Sequence, residues 1–353
     1  MIKTIIDQCL ERQWITDNDI KALLLCDDPD ERELIFRAAR EQRSRIFGNK
    51  VFLYGFVYFS TFCKNDCAFC LYRASGSGAV RYRKTADEII KTAVELKNSG
   101  VHLIDLTMGE DGFFTGERLS ELVSAVKEAT GLPVMISPGL ADDETIERLA
   151  QAGADWFALY QETHNETLFD KVRIGQSYDA RMHAKEYAAQ CGMLIEEGLL
   201  TGIGDSADDT VRSFGAMREL GAAQVRTMTF IPQKGTPMAH LAQGSFDREI
   251  MNIAVMRLIF PYALIPASLD VDGLDGLEHR LNAGANVVTS IIPPRKGFAG
   301  VANASHDIDD GKRTVAGIQD VLRSCALVNA TAQEYSEALD AIRQNSMAFS
   351  RQA

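Results

Sequence analysis

The segment Cys63-Lys-Asn-Asp-Cys67-Ala-Phe-Cys70 stands just behind the apolar run VFLYGFVYFS at 51–60, and the two together decide the fold. A run so rich in aromatic and β-branched residues makes a buried strand. The three thiols therefore emerge on a loop at its C-terminal end. Thiolates at the spacing C-x3-C-x2-C can grip three irons of a cubane iron–sulfur cluster, for which cysteine is the usual ligand. The fourth iron then has no protein thiolate and stays open to a small molecule. Zinc is a poorer match, because a structural zinc site wants four protein ligands and no nearby Cys or His pair completes the set. A disulfide would strand one thiol of the three. Inert burial, the ordinary fate of a lone cysteine, does not suit thiols interleaved with Lys64, Asn65 and Asp66.

From this loop the pattern extends along the chain. Apolar runs at 51–60, 102–108, 133–137, 156–160, 194–202, 224–231, 263–269 and 285–292 are strand candidates. Between them lie amphipathic stretches at 86–98, 116–130, 143–151, 178–192, 206–220, 247–260 and 274–282. Eight runs separated by helices predict an α/β fold, a (β/α)8 TIM-type barrel rather than an open doubly wound sheet. Residues 1–48 carry apolar positions at helical spacing and a Thr16-Asp-Asn-Asp cap. They predict an N-terminal helical extension over the bottom or side of the barrel. The barrel is expected over 49–330, with its last helix at 309–326, and 331–353 as a C-terminal helix and tail whose helix spans 332–346.

Composition agrees with one barrel. The chain has 353 residues, of which 46% are hydrophobic, enough for a sizeable core. A formal charge of −12 without a sustained basic run argues against nucleic acid and anionic membrane as partners. No apolar run approaches the ~18 residues of a membrane span, and the N-terminal MIKTIIDQCLERQW lacks a signal-peptide core. Cys9, Cys26, Cys191 and Cys325 are scattered without framework spacing, which predicts a reducing, cytoplasmic location where an oxygen-sensitive cluster survives.

In such barrels the chemistry sits at the C-terminal strand ends. Met108-Gly109-Glu110-Asp111 follows the second run, Ser137-Pro-Gly the third, and Tyr160-Gln-Glu162-Thr the fourth, with Arg173 and Arg181 beyond. Gly202-Ile-Gly204 follows the fifth run, and Arg226 lies in the sixth. Ser268-Leu-Asp270 ends the seventh, and Thr289 and Ser290 lie in the eighth. A glycine lets the backbone approach a ligand closely, and Glu162 and Arg181 suit an amino group and a carboxylate. Plain βα turns and helix-end salt bridges are the ordinary alternatives. Unpaired charges in a lumen are costly unless something neutralises them. Asp111, Arg226, Ser268 and Asp270 thus predict a small molecule with one carboxylate, on Arg226, and two ammonium groups, on Asp111 and Asp270. An internal Arg226–Asp270 ion pair is an equal alternative.

The cysteine spacing, with aromatic Phe69 ahead of the last thiol, resembles the radical S-adenosylmethionine (SAM) superfamily. That resemblance implies a 4Fe-4S cluster on Cys63, Cys67 and Cys70, with SAM chelated at the open iron. One electron from a separate donor would cleave SAM to a 5′-deoxyadenosyl radical. The cofactor-binding set it implies is Phe69, Met108, Gly109, Glu110, Ser137, Glu162, Arg173, Arg181 and Gly202, with the backbone of Gly202-Ile-Gly204 along the adenine. Within it, Glu162 and Arg181 match the biotin-synthase-like branch. Asp105-Leu-Thr-Met-Gly-Glu-Asp111, Ile136-Ser-Pro-Gly-Leu140, Tyr160-Gln-Glu-Thr163, Met228-Thr-Phe-Ile-Pro-Gln233, Ile265-Pro-Ala-Ser-Leu-Asp270 and Leu281-Asn-Ala-Gly-Ala-Asn286 together resemble the methylornithine synthases. This narrower resemblance covers about residues 45–305. It implies isomerisation of L-lysine to (3R)-3-methyl-D-ornithine in pyrrolysine biosynthesis, with Asp111, Arg226, Ser268, Asp270, Thr289 and Ser290 around the substrate. Sulfur insertion, a rival within the branch, would call for a second cysteine group, which the sequence lacks.

Overall fold

Strand β1 (Lys50–Ser60) shows how the barrel is built. Its Phe52, Tyr54, Phe56 and Tyr58 pack into the lumen, while Val51, Leu53, Val57 and Phe59 belong to the apolar layer between sheet and helices. That alternation is the period-two pleat of a strand buried on both faces. The computed structural model describes residues 1–11, 15–270, 272–293 and 312–349.

Among the described residues three helices precede β1: α1 (Ile2–Leu10), α2 (Asp17–Leu24) and α3 (Pro29–Phe47). After it come α4 (Ala86–Ser99), β2 (Leu103–Met108), α5 (Gly116–Thr130), β3 (Val134–Ser137), α6 (Asp143–Gln151) and β4 (Trp156–Ala158). The chain continues through α7 (Glu166–Val172), α8 (Tyr178–Gln190), β5 (Leu194–Thr201), α9 (Ala207–Glu219), β6 (Gln224–Thr229) and α10 (Phe246–Ile259). Last are β7 (Pro266–Ser268), α11 (Leu277–Asn282), β8 (Val287–Ile291), α12 (Gln319–Ser324), β9 (Val328–Asn329) and α13 (Ala332–Phe349). The helices start where their sequences say: Thr85 and Ser206 close capping boxes on α4 and α9.

The strands pair in parallel in the order β6-β5-β4-β3-β2-β1-β8-β7. The ring closes through a bridge between Gln224 and Leu264, where Val225 N donates to Leu264 O at 3.0 Å and Leu264 N to Ala223 O at 2.9 Å. The expected (β/α)8 barrel is therefore present.

Three expectations change. The fourth run, expected to reach 160, ends as a strand at Ala158, because Glu162 turns into the left-handed region at φ 69°. The helix expected at 309–326 is the short α12, and residues 309–311 lie outside the described residues. The short helix α7, which no strong apolar period announces, is capped by the Asn165 side chain accepting from Leu168 N. The barrel bottom is closed by α13. Its Tyr335 hydroxyl meets the Tyr54 hydroxyl at 2.8 Å, and Leu339 and Ile342 join the lumen core from below. The N-terminal helices instead cover the side, α3 lying along α10.

Candidate active site

The pleat decides which polar side chains enter the lumen. Leu103 and Leu194 pack inside while Ile104 and Ile195 pack outside, so Asp105 and Thr107 on β2 and Glu196 on β5 point inward and Glu197 points out. On β6, Val225 packs outward and Arg226 inward. Above this polar floor is a cavity of about 1310 Å³, counted to its open mouth, lined among others by Cys63, Cys67, Cys70, Glu162, Arg226 and Asp270.

The thiol loop is held from behind by Arg81, whose guanidinium donates to the carbonyls of Tyr72 at 2.9 Å, Arg73 at 2.7 Å and Gly76 at 3.1 Å, and to that of Thr61. Ala68 N donates to Val172 O at 2.8 Å, tying the loop to α7. Cys67 Sγ accepts from Gln176 Nε2 at 3.0 Å, and Arg173 Nη1 stands 3.8 Å from the same sulfur. Among the described residues no three His, Cys, Asp or Glu side chains converge on a single ion. A cubane asks for no such convergence, since each thiolate grips a different iron. Burial pushes the Cys63 thiol up and the Cys70 thiol to about 12; iron removes that penalty, because a coordinating thiol is deprotonated outright. Gly109 admits the loop: a Cβ there would stand 2.3 Å from Phe62 O and 3.0 Å from Cys63 Cβ.

Beside the thiols, Glu162 Oε1 accepts from Arg173 Nη2 at 2.6 Å, while its Oε2 is buried without a hydrogen-bond partner among the described residues. Arg181 donates to Tyr160 O at 2.6 Å and Gln176 Oε1 at 3.2 Å, leaving its Nε unpartnered in the same sense. Burial raises the Glu162 carboxyl above its usual range despite Arg173. Burial and then the neighbouring Arg173 charge lower Arg181 to about 9. An orphaned carboxylate oxygen and guanidinium nitrogen beside three thiols complement the ammonium and carboxylate of an amino-acid head group, so the residues fit SAM as well as a cluster. Phe69, Met108, Gly109, Glu110, Ser137 and Arg173 also line the cavity. Gly202 does not: Asp205 takes its N–H at 2.7 Å, and a Cβ on it would meet Gly244 Cα at 2.5 Å. The adenine role expected of it has no support in its position.

A model of the Radical SAM superfamily matches residues 57–215. The 3-methylornithine synthase of Methanosarcina acetivorans is 43% identical over 335 residues, covering 94% of this chain and 95% of its own length. That of Methanosarcina barkeri is 46% identical over 314 residues, covering 88% of this chain and 89% of its own length. A crystal structure of methylornithine synthase superposes with a TM-score of 0.90 at 43% identity, over 95% of this chain and 99% of that one. The chain belongs to the 3-methylornithine synthase family. Like other radical SAM enzymes it uses a 4Fe-4S cluster and SAM.

Elsewhere along the cavity of this methylornithine synthase family member, Arg226 and Asp270 do not pair with each other. Arg226 Nε donates to Glu196 Oε1 at 2.7 Å, its guanidinium lies over the Tyr160 ring at 5.4 Å, and its Nη2 has no partner among the described residues. Asp270 Oδ1 accepts from Arg313 Nη2 at 3.0 Å and from the Tyr58 hydroxyl at 3.1 Å. Ser290, at φ 63°, lines the cavity, and its hydroxyl stands 3.4 Å from that of Ser268. Ser268 and Thr289 are buried and do not line the cavity. Asp111 departs from expectation. Its carboxylate accepts from Arg83 Nε at 2.7 Å, Arg83 Nη2 at 2.9 Å and Ser60 Oγ at 2.6 Å, and it does not line the cavity. Burial notwithstanding, Arg83 and Ser60 hold its carboxyl below the usual range. The premise of an unpaired lumen carboxylate fails for this residue.

Four residues that matter here escaped the sequence reading. Asp105 and Glu196 were legible in principle, Asp105 as a lone acid and Glu196 as the inward one of two adjacent acids in an apolar run. Arg83 and Arg313 carried no signal, since nothing local says where their long side chains end.

Proposed function

We propose that this chain isomerises L-lysine to (3R)-3-methyl-D-ornithine, in the cytoplasm, with an electron supplied by a separate donor. Support comes from similarity to 3-methylornithine synthases over nearly the whole chain. The observation that carries the site assignment is one cavity that holds three thiols together with Arg226 and Asp270. Cys63, Cys67 and Cys70 hold the cluster; Glu162, Arg173 and Arg181 hold SAM, with the backbone at Met108, Gly109 and Glu110, Ser137, and the Phe69 ring. Bound together, cluster and SAM supply one-electron chemistry able to take a hydrogen atom from an unactivated carbon.

The chain's own share is positioning and exclusion of water. Arg226 presents its free Nη2 to the lysine carboxylate, while Glu196 fixes Nε from below. Asp270 receives an ammonium group, its Oδ1 already held by Tyr58 and Arg313; Ser290 lines that wall, with Ser268 and Thr289 buried beside it. Asp111 can join this set only by giving up Arg83. Holding both charged ends keeps the fragments of a cleaved skeleton in register for rejoining, and the closed barrel keeps them from diffusing apart.

The test is anaerobic reconstitution followed by iron counting and incubation with SAM, a chemical reductant and L-lysine. The expected outcome is a cluster-loaded protein that converts lysine to an isomer of equal mass but different retention. A loaded protein that cleaves SAM and leaves lysine untouched would refute the substrate.

A further inference from the structure

Behind the cavity wall, between β5 and α8, lies a charged cluster that the proposed mechanism does not use. Glu197, Lys185 and His164 are buried, and none of them lines the cavity. Glu197 Oε1 accepts from two backbone donors, Gln161 N and Gly198 N, each at 2.8 Å. Its Oε2 takes the Lys185 ammonium and stands 3.6 Å from His164 Nε2. Lys185 also donates to the Gln161 side-chain oxygen at 3.1 Å.

These contacts converge on the residue before Glu162. Glu162 itself donates from N to Gly198 O at 3.1 Å and accepts at O from Leu200 N at 2.9 Å. So the segment 160–162 is stapled to β5 on both sides of a non-glycine residue held at φ 69°. A conformation of that kind is costly for a residue with a side chain and persists only where its surroundings over-determine it. The Glu197 carboxylate is the surrounding group that reaches the backbone just ahead of the strained residue. On the far side, Tyr160 O accepts from Arg181, so the same anchor also bears on that guanidinium.

We propose that Glu197, with Lys185 as its charge partner, is a positioning residue that holds Glu162 in its left-handed conformation and so aims both Glu162 and Arg181 at SAM. This deepens the reading above and rests on Glu162 being a cofactor-facing carboxylate. A buried ion pair would ordinarily be read as a stability element, but replacing such a pair by neutral groups is often nearly neutral for folding. What cannot be replaced by an apolar group is the acceptor for Gln161 N and Gly198 N.

Two double variants of the full chain separate these roles. Lys185→Met with Glu197→Gln removes the charges and keeps an oxygen acceptor. Lys185→Met with Glu197→Met removes both. After anaerobic reconstitution, both are expected to carry the iron content of the unsubstituted protein and to unfold within a few degrees of one another. Calorimetric titration with SAM is expected to show the Gln variant within about 3-fold of the unsubstituted protein and the Met variant weaker by roughly 10-fold or more, the effect of losing one buried hydrogen-bond acceptor. Equal SAM affinities in the two, or failure of either to fold and load iron, would overturn the proposal. Glu162→Gln is titrated alongside: if it leaves SAM affinity unchanged, the cofactor reading of Glu162 falls, independently of the anchor.

Discussion

Changing Asp270 to Asn keeps the size of the side chain and an oxygen for Tyr58 and Arg313, and removes the negative charge that is to meet a lysine ammonium. The Asp270 side chain is 15% exposed and that of Arg313 6%, so water screens this charge little. A hydrogen bond to a charged group is worth roughly 1.5–3 kcal/mol, and 1.4 kcal/mol is about a factor of ten. The expected loss in kcat/KM for lysine is therefore roughly 10- to 150-fold. Arg313 is left without its carboxylate but keeps Ser290 O at 3.0 Å and Tyr58 Oη at 3.3 Å. The loss of stability should thus fall below the about 3–5 kcal/mol typical of a stranded buried charge. The assay follows lysine consumption and product formation by mass spectrometry under anaerobic reducing conditions, with iron content and SAM binding measured on the same sample. Lysine kinetics within about 2-fold of the unsubstituted protein, at equal iron and SAM binding, would remove Asp270 from the substrate site. A fall in SAM affinity instead would move it to the cofactor.

Other expectations are as direct. Cys67→Ala, which removes the sulfur that Gln176 and Arg173 face, should abolish the visible absorption of the reconstituted cluster and all SAM cleavage; retained absorption would mean that Cys67 is not a ligand. Gly109→Ala should lower iron loading several-fold, because its Cβ would stand 2.3 Å from Phe62 O and push the Cys63 loop outward; full loading would show that the loop yields easily. Asp105 is raised from 3.8 to about 7 by burial and then by Glu196. Its protonated form is thus favoured by folding, so its contribution is fully present below about pH 4 and is lost as pH rises through about 7. Asp105→Asn should therefore gain stability relative to the unsubstituted protein between pH 5 and pH 8, by up to about 3 kcal/mol for roughly two units at about 1.36 kcal/mol per unit. Thermal unfolding at the two pH values checks this, and a pH-independent difference would count against it.

The elements whose evidence lies within a few residues were readable from the chain. The thiol spacing needed only eight neighbouring residues, and the alternation of apolar runs with amphipathic stretches gave the barrel, because strand and helix periods are properties of consecutive residues. The same pleat, applied one step further, would have placed Asp105 and Glu196 in the lumen. It could not have placed Gly202, whose role depends on how Gly244 crosses it.

Sequence alone therefore determined the cluster loop, the barrel and the face each strand residue shows. Tertiary structure alone decided which charge meets which. Asp111 joins Arg83 across 28 residues, Arg226 joins Glu196 across 30, and Asp270 joins Arg313 across 43. A long side chain at a barrel mouth has several opposite charges within reach, and the choice among them turns on burial and distance, where a few ångströms change the interaction by kilocalories. Those distances exist only once the barrel has closed.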